Sequence, residues 1–229
     1  MKILKTADGL DTLYSEKYKQ TFHSEHGVLQ EANHVFLQGA GVAERLQKKL
    51  KTSVLEIGFG TGFNFFLTAQ KAAETETRLE FTSIENDLLK YDLFQKLNHS
   101  KTASENNLYS PFLEWRDGQP KILPEGKYKI DFGKNIFLKL LIGDAIKVSL
   151  PEQEFNAVYL DAFSPDKNLE LWTVSFFSKL LLAMKRNGKL STYSAKGSVR
   201  RAMIEAGFEV TKMKGPLGKR EILTARKIL

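Results

Sequence analysis

From residue 52 onward, short apolar runs alternate with stretches in which apolar residues recur every three or four positions. A short apolar run bounded by turn residues predicts a buried strand, whereas the longer spacing predicts an amphipathic helix. The predicted strands cover residues 53–58, 79–85, 128–132, 135–142, 157–161, 189–193, 209–213 and 221–226. The predicted helices cover residues 42–50, 62–76, 88–99, 169–187 and 198–206. This alternation predicts an α/β fold with a mainly parallel sheet.

Two parts of the chain depart from the alternation. Residues 100–126 are polar and contain three prolines, which predicts a loop. This loop opens a predicted insertion over residues 100–135, which ends after a hairpin turn at Gly133-Lys134. Residues 1–50 mix aromatic and polar side chains, and we expect them to form an N-terminal extension packed on the domain of residues 51–229.

The C-terminal end carries its own turn signals. Gly215-Pro216 separates the last two predicted strands, which indicates an antiparallel hairpin at the end of the sheet. Gly188 and Gly207 each follow a predicted helix, at positions typical of helix C-caps.

The composition excludes several kinds of site. The 229-residue chain contains no cysteine, which rules out disulfides, zinc-thiolate centres and a cysteine nucleophile. His23, His26 and His34 lie within a short stretch, but without cysteine or acidic support we expect no metal site. We find neither a signal-peptide pattern nor an apolar run near the roughly 18 residues of a membrane span. We therefore expect a cytoplasmic protein, with a monomer as the default assembly.

Charge is distributed unevenly along the chain. Residues 179–229 contain 13 basic and 3 acidic side chains, whereas residues 1–178 contain 21 basic and 24 acidic ones. The formal net charge of +7 therefore comes from the last quarter. Such an asymmetry indicates either a polyanionic partner or a solvated basic face, and charge alone leaves both interpretations open.

A glycine-rich loop joins the predicted strand 53–58 to the helix that follows it. Gly58, Gly60 and Gly62 form a G-x-G-x-G motif, in which the backbone and the free amide groups of the helix start can approach a ligand. Phe63 stands where a dinucleotide fingerprint has its last glycine, and no Gly-Lys-Ser/Thr ending is present. Neither a nicotinamide or flavin dinucleotide nor a P-loop is therefore favoured. An ordinary tight turn is the alternative.

Three acidic residues accompany this loop. Glu85 ends the next strand, where a carboxylate can accept hydrogen bonds from both ribose hydroxyls of an adenosine. Glu56 precedes the loop and can hold a cationic amino group, directly or through water, and Asp144 follows a later strand on the adenine side. S-adenosylmethionine carries two cationic groups and no phosphate, so we predict it as the cofactor. Taken singly, Glu85 can be a helix N-terminal charge and Asp144 a helix N-cap.

Asp161 ends a further predicted strand and is the candidate catalytic residue. Ligands of an open α/β sheet bind at the carboxyl ends of its strands, so Asp161 should face the same crevice as the glycine loop. A carboxylate there can orient an amine and help to remove its proton. Phe163 can stack on a flat substrate, and Lys167 can contact a phosphate. The alternatives are a loop-capping Asp161, a core Phe163 and a solvated Lys167.

Several segments resemble the MnmC-type tRNA methyltransferases. Residues 56–65, Glu-Ile-Gly-Phe-Gly-Thr-Gly-Phe-Asn-Phe, resemble the cofactor loop of that family. Residues 161–168, Asp-Ala-Phe-Ser-Pro-Asp-Lys-Asn, together with Trp172, resemble its catalytic loop, although Leu169 replaces an expected proline. Similar residues recur at 7–9, 35–37, 200–201 and 218–221, so the resemblance spans nearly the whole chain.

The resemblance implies a Rossmann-like class I S-adenosylmethionine-dependent methyltransferase in which Asn64 belongs to the cofactor site. It implies methylation of the aminomethyl group of a modified wobble uridine in tRNA, the last step towards 5-methylaminomethyl-2-thiouridine. Many members carry a second, FAD-dependent oxidoreductase domain, for which this chain has no room. Another enzyme should then supply the amine, or the acceptor differs.

The basic C-terminal quarter is the predicted tRNA-binding surface. Its candidate contacts are Lys196, Arg200, Arg201, Lys219 and Arg220, which can hold backbone phosphates and place the wobble base over the catalytic carboxylate. Two rival functions stay open, a methyltransferase of a small-molecule or protein amine and a non-catalytic nucleic-acid-binding module. An NAD-dependent oxidoreductase is disfavoured, since no arrangement for hydride chemistry is present.

Overall fold

An eight-stranded sheet and a separate three-stranded sheet organise the structure, a computed structural model that describes residues 1–102, 108–133 and 135–228. The strands are β1 (Lys2–Lys5), β2 (Asp11–Ser15), β3 (Gln20–Thr21), β4 (Thr52–Ile57), β5 (Leu79–Glu85), β6 (Gly126–Asp131), β7 (Ile136–Ile142), β8 (Phe155–Leu160), β9 (Met184–Thr192), β10 (Glu209–Lys214) and β11 (Glu221–Arg226). The large sheet has the order β10-β11-β9-β8-β4-β5-β7-β6, and the small one has the order β1-β2-β3.

Helices connect most of the central strands. The α-helices are α1 (Val28–Glu31), α2 (Val42–Gln47), α3 (Phe63–Glu74), α4 (Tyr91–Lys96), α5 (Tyr109–Asp117), α6 (Val174–Ala183) and α7 (Gly197–Glu205). A π-helical segment, Ala32–Gln38, continues α1, and 3₁₀ turns cover Asn98–Thr102 and Leu169–Trp172.

The five central strands, β9, β8, β4, β5 and β7, pair in parallel, as the alternating pattern predicts. The predicted C-terminal hairpin is also confirmed, because β10 and β11 pair antiparallel at one edge. At the opposite edge β6 and β7 form the second predicted hairpin, although Lys134 of its turn lies outside the described residues. The fold class predicted from the sequence is therefore confirmed.

The strands β4, β5, β7 and β8 each contribute to two apolar cores because their side chains alternate between the faces of the sheet. On β4, Val54 packs in one core with Phe65 of α3, whereas Leu55 packs in the other core with Phe177 of α6. A strand that is buried on both faces is a continuous apolar run in the sequence, which is why the run is easy to detect. With both faces covered, the carboxyl ends of the parallel strands remain available for a ligand.

The predicted loop over residues 100–126 is wrong in part, because it contains α5. Pro111 lies in the first turn of this helix, where a missing amide hydrogen leaves no bond unmade. Buried Phe112 and Arg116 anchor the helix, and the Arg116 guanidinium donates to three backbone carbonyls. Residues 103–107 of the predicted insertion lie outside the described residues.

The predicted helix over residues 169–187 is too long. It divides into a 3₁₀ turn and α6, and the chain then enters β9 at Met184. Two backbone hydrogen bonds to Lys227 stabilise the first half of β9. Asn187 N donates to Lys227 O (2.9 Å), and Lys227 N donates to Gly188 O (3.0 Å). Gly188 is therefore a strand residue and not a helix C-cap. Gly207 follows α7 with a φ of 102°, as the C-cap prediction requires.

The first 50 residues are bonded to the rest of the chain at several points. Asp11 N donates to Asn98 Oδ1 (2.8 Å), and Asn98 N donates to Asp11 Oδ2 (3.0 Å). Ser191 Oγ on β9 donates to Val35 O of the π-helical segment (2.5 Å). The domain boundary after residue 50 stays a prediction. No helix in the described part of the chain has the length and apolar character to cross a membrane.

Candidate functional site

A cavity of about 550 Å³ opens at the carboxyl ends of the parallel strands. Residues 58–60 follow β4, Glu85 ends β5, residues 143–145 follow β7 and residues 161–163 follow β8. The N-terminal segment between residues 15 and 24 closes the opposite wall. The volume suits a small organic ligand. The predicted site residues that line this cavity are Gly58, Gly60, Glu85, Asp144, Asp161, Phe163 and Lys219.

The glycine loop brings backbone close to backbone at the end of β4. Gly58 has a φ of 92°, and a Cβ atom built on it would lie 2.9 Å from the Asp161 carbonyl oxygen. Gly60 has a φ of 53°, and a Cβ atom there would lie 3.0 Å from the Phe22 ring. Both positions therefore favour glycine for their conformation, and Gly58 also needs it for space because backbone atoms occupy the Cβ position. The loop presents bare backbone to the cavity, as a closely approaching ligand requires.

Glu85 and Asp144 line the cavity as the sequence predicts. Glu85 accepts hydrogen bonds from Gly60 N (3.0 Å) and Asp87 N (2.9 Å), which orient its carboxylate at the end of β5. Asp144 accepts from Ile146 N (2.9 Å), so it also holds the turn that follows β7. No helix lies between β7 and β8, whose connecting residues are all described, so the helix N-cap alternative for Asp144 is wrong and its hydrogen bond caps a turn.

A buried hydrogen-bond network reaches the cavity through Asp161. Asn64 Nδ2 donates to Asp161 Oδ2 (2.8 Å) and to Glu56 Oε1 (3.1 Å), and Ser83 Oγ donates to Glu56 Oε2 (2.8 Å). Asn64 Oδ1 is a buried polar atom without a hydrogen-bond partner among the described residues. The network fixes the orientation of Asp161 from behind the cavity wall.

Both carboxyl groups of this network bind protons more tightly than usual. Burial raises the pKa of Glu56 to about 8. The hydrogen bonds that Ser83 and Asn64 donate to its charged form lower this pKa, but their effect is smaller than that of burial. Burial also raises the pKa of Asp161 well above its ordinary value, and the charges of Glu31 and Glu56 add to the rise. The Asn64 hydrogen bond and the Lys219 ammonium group oppose it. A carboxylate with a raised pKa is a better proton acceptor near neutral pH.

Glu56, Gly62 and Asn64 are not among the described residues that line the cavity. Glu56 is fully buried, and its two carboxylate oxygens accept bonds from Asn64 and Ser83 in the interior, so its contact with a cationic amino group stays a prediction. Asn64 is bonded to Asp161, and its predicted contact with the cofactor stays a prediction. Gly62, with a φ of 76°, is the N-cap residue of α3 and ends the glycine loop.

Aromatic rings surround the predicted stacking residue. The rings of Tyr18 and Phe163 stack with centroids 4.2 Å apart and planes at 21°, and the Phe22 ring meets Phe163 edge-on at 5.2 Å. Gln20 links this wall to the catalytic loop, since its Oε1 accepts from Ser164 N (3.1 Å). Phe163 is half-buried, so the core alternative holds for part of the side chain only.

An ion pair lies inside the cavity. Lys219 Nζ is 2.7 Å from Glu31 Oε1 and 4.4 Å from the centroid of the Tyr193 ring. Glu31 Oε2 accepts from Ser24 N (2.7 Å), and Tyr193 donates its hydroxyl hydrogen to Ala162 O (2.8 Å), next to Asp161. Lys219 thus lies in the cavity and not on an outer basic face.

The other predicted basic contacts lie outside the cavity. The exposed residues of this group are Lys167, Lys196, Arg200, Arg201 and Arg220. Lys196 pairs with Asp166 of the catalytic loop, which partly neutralises both side chains. Arg200 and Arg201 belong to the first half of α7, whose N-terminal end favours anions over cations.

The three histidines of the N-terminal segment have separate contacts. His23 Nε2 lies 2.7 Å from Thr61 Oγ1 of the glycine loop, and burial lowers the pKa of His23 to about 4, so its ring is neutral. His34 Nε2 donates to Lys214 O (2.7 Å), and the His26 ring packs against Gly218. Across the described residues, no group of three or more metal-ligating side chains is present.

Sequence reasoning missed most of the N-terminal wall. Tyr18, Gln20, Phe22 and Glu31 line the cavity, yet no spacing or motif marks them in the sequence. Their only shared signal is the mixture of aromatic and polar residues in the first 50 positions. The cavity is also strongly acidic, since seven carboxylate side chains and two lysines are among its described lining residues. Such a cavity favours cationic ligands.

Known proteins match this chain in sequence and in structure. A family described as S-adenosyl-L-methionine-dependent methyltransferase matches residues 115–228. The "tRNA 5-methylaminomethyl-2-thiouridine biosynthesis bifunctional protein MnmC" of Burkholderia mallei is 34% identical over 220 residues, which cover 93% of this chain and 33% of that protein. The protein of the same name from Burkholderia multivorans is also 34% identical over 220 residues. The chain thus spans about a third of the length of these curated relatives.

Two solved structures share the fold. The crystal structure of MNMC2 from Aquifex aeolicus matches with a TM-score of 0.76 and 28% identity, covering 98% of this chain and 69% of that one. Spermidine synthase from Thermotoga maritima matches with a TM-score of 0.55 and 15% identity, covering 99% of this chain and 72% of that one, which shows the fold alone. The cofactor predicted from the sequence is confirmed as S-adenosyl-L-methionine. The chain belongs to the S-adenosyl-L-methionine-dependent methyltransferase family and is similar, over nearly its whole length, to one third of the MnmC proteins.

Proposed function

We propose that the chain transfers a methyl group from S-adenosyl-L-methionine to a primary amine, the aminomethyl group of a modified wobble uridine in tRNA. The observation that carries this proposal is the position of Asp161, a carboxylate of raised pKa at a strand end in an acidic cavity beside the glycine loop. The names of the MnmC relatives supply the substrate class. The proposal keeps the cytoplasm as the location and a monomer as the assembly.

The residues around the cavity fit the cofactor. Gly58 and Gly60 line the cavity without side chains, so the methionine part of the cofactor can approach their backbone. Glu85 ends β5 with oriented oxygens that can accept from the ribose hydroxyls, and Asp144 can face the adenine side. The acidic excess of the cavity compensates the sulfonium and ammonium charges. When bound, the cofactor supplies a methyl group whose bond to sulfur breaks as its bond to the acceptor nitrogen forms.

Asp161 prepares the acceptor nitrogen for this transfer. An alkylammonium ion has no free lone pair, so it must first lose one proton. The Asp161 carboxylate can accept that proton, and its raised pKa lets it hold the proton near neutral pH. Asn64 keeps the carboxylate in one orientation through its 2.8 Å hydrogen bond, which limits the acceptor to one approach. The methyl transfer then forms a secondary ammonium ion, and Asp161 releases its proton to solvent.

The walls and the rim of the cavity can position the nucleotide. Phe163 can stack on the uracil ring, with Tyr18 and Phe22 holding it in place. Arg200, Arg201 and Arg220 are exposed cations of the C-terminal quarter that can contact tRNA phosphates. Lys167 and Lys196 belong to the same proposed surface, although Lys196 must leave Asp166 to reach a phosphate.

A small-molecule or protein amine is the second candidate acceptor. One observation favours it, because Lys196 and Lys212 of the basic quarter are paired with Asp166 and Glu221 and so present less free charge to a polyanion. Both acceptors would use the same cavity and the same role of Asp161. The two candidates differ only in whether RNA is needed.

Methyl transfer to tRNA of defined modification state tests the proposal. Wild-type protein is incubated with methyl-labelled S-adenosyl-L-methionine and tRNA that carries the aminomethyl uridine, and unmodified tRNA is the matched control. We expect label in the first tRNA only, at the wobble nucleoside. Label in neither tRNA, but in small amines such as polyamines, would assign the second candidate.

A further inference from the structure

The cavity already contains a primary ammonium group, and it belongs to the protein. Lys219 follows the turn between β10 and β11, in which Lys219 N donates to Pro216 O (2.9 Å) and Gly215 N donates to Arg220 O (3.1 Å). Gly218 adopts a φ of 84° against the His26 ring, and the next residue enters the cavity. There the Lys219 ammonium group lies between the Glu31 carboxylate and the face of the Tyr193 ring.

We propose that Glu31 and the Tyr193 ring form the subsite for the ammonium group of the acceptor, and that Lys219 occupies this subsite until the acceptor displaces it. The inference rests on the proposed function, because it assumes that the acceptor is a primary amine. A carboxylate together with an aromatic face recognises any primary ammonium group, whether it ends a lysine or a nucleoside substituent.

The subsite lies beside the group that must receive the proton. Tyr193 donates to the backbone of Ala162, the neighbour of Asp161, and Glu31 and Lys219 both influence the Asp161 carboxyl through their charges. An acceptor held by Glu31 would therefore place its ammonium group in the cavity that Asp161 also lines. Glu31 binds the cation and Asp161 removes its proton, so the two carboxylates have separate tasks.

Charge compensation makes the exchange selective. Only 6% of the Glu31 side chain is exposed, so leaving it without a cation would be costly. A cationic acceptor replaces the Lys219 ammonium group without changing the charge of the subsite, whereas a neutral or anionic acceptor leaves Glu31 unpaired. Lys219 retains 25% exposure of its side chain and lies on a surface turn, so it has a path to solvent. The subsite therefore selects an amine against a carboxylate-bearing or hydroxyl-bearing analogue.

Two substitutions with opposite expected effects test the exchange. Glu31→Gln keeps an oxygen that can accept from Ser24 N but removes the negative charge. Lys219→Met removes the resident ammonium group and keeps most of the side-chain length. Lys212→Met is the matched control, because Lys212 lies in the same hairpin and pairs with Glu221 outside the cavity. The acceptor is the 5-aminomethyluridine nucleoside, which contains no phosphate.

The steady-state rates of nucleoside methylation separate the possible roles. We expect Glu31→Gln to lower kcat/KM about 10-fold to 100-fold, as the loss of one charged hydrogen bond would, mainly through KM. Lys219→Met should raise kcat/KM, because the acceptor no longer has to displace a resident cation, whereas Lys212→Met should leave kcat/KM unchanged. If Glu31→Gln and Lys219→Met reduce it to the same extent, the ion pair serves structure alone and the inference fails. Cofactor affinity and the unfolding temperature identify a folding defect.

Chemical labelling gives a readout that needs no turnover. Reductive methylation of Lys219, followed by mass spectrometry, should be slow in the free protein and faster with saturating 5-aminomethyluridine and S-adenosyl-L-homocysteine. The 5-hydroxymethyl analogue should not release Lys219, and labelling of Lys212 should stay constant. Unchanged labelling with a nucleoside that the wild-type protein methylates would overturn the inference but leave the proposed function intact. A wild-type protein that methylates no aminomethyl uridine, in tRNA or as nucleoside, would overturn the proposed function itself.

Discussion

Glu56 allows a quantitative test of the network behind the cavity. Its side chain is fully buried, and burial raises its pKa from 4.5 to about 8. Between these two pH values the folded protein holds one proton more than the unfolded chain at this site. The contribution of Glu56 to stability is therefore complete below pH 4.5 and declines as the pH rises through 8, by about 1.4 kcal/mol per pH unit. The whole interval amounts to on the order of 5 kcal/mol.

The substitution Glu56→Gln removes this titration and keeps the shape of the side chain. The amide can still accept from Asn64 with its oxygen, and Ser83 can turn its hydroxyl to accept from the amide nitrogen. Urea unfolding between pH 5 and 9 measures both proteins. The wild type should lose stability relative to the variant as the pH rises, and the difference should level off above pH 8.

The difference between the two curves is the informative quantity, because His23 acts in the opposite direction. Burial lowers the pKa of His23 from 6.5 to about 4, so its contribution is present above pH 6.5 and is lost as the pH falls through 4. Both proteins keep His23, and its effect cancels in the difference. A difference that stays constant from pH 5 to 9 would refute a proton held on Glu56.

Three further predictions concern the ligands. Glu85→Ala should weaken S-adenosyl-L-methionine binding at least about 10-fold in calorimetry, since up to two charge-assisted hydrogen bonds are lost; unchanged affinity would remove Glu85 from the site. Phe163→Ala should raise the KM for tRNA roughly 5-fold or more with a smaller effect on kcat, because base stacking is worth about 1–3 kcal/mol. An unchanged KM would show that Phe163 only packs against Tyr18 and does not contact the nucleotide. Replacing Arg200 and Arg201 together by alanine should lower the slope of log affinity for tRNA against log salt by up to about two, whereas an identical slope would show a merely solvated basic face.

The sequence located the strand-end residues of the cavity because parallel strands share one edge. The strands β4, β5, β7 and β8 are mostly buried runs, so their carboxyl ends can be read from the sequence. Glu85 ends one of these strands, and Gly58, Asp144 and Asp161 follow the others. Chain direction alone then brings them together, whatever the detailed packing. For these residues, no knowledge of side-chain contacts was required.

The N-terminal wall and the ion pair depend on packing that no local pattern records. Glu31 and Lys219 meet because the first 50 residues and the C-terminal hairpin turn converge on the cavity from opposite ends of the chain. The sequence therefore placed Lys219 on an outer basic surface. Glu56 is a related case, since its spacing puts it beside the loop but does not record that its side chain is bonded to Ser83 in the interior.

Single-turnover methyl transfer by Asp161→Asn tests the central claim most directly. The variant keeps an oxygen to accept from Asn64 and loses the ability to take a proton from the acceptor. Enzyme in excess over aminomethyl tRNA, saturated with methyl-labelled S-adenosyl-L-methionine, reports the transfer step, and calorimetry reports cofactor affinity. We predict a transfer rate on the order of 10²-fold or more below that of the wild type, with nearly unchanged cofactor affinity. A folded variant that transfers the methyl group within a few-fold of the wild-type rate would contradict the assignment of the reaction to Asp161.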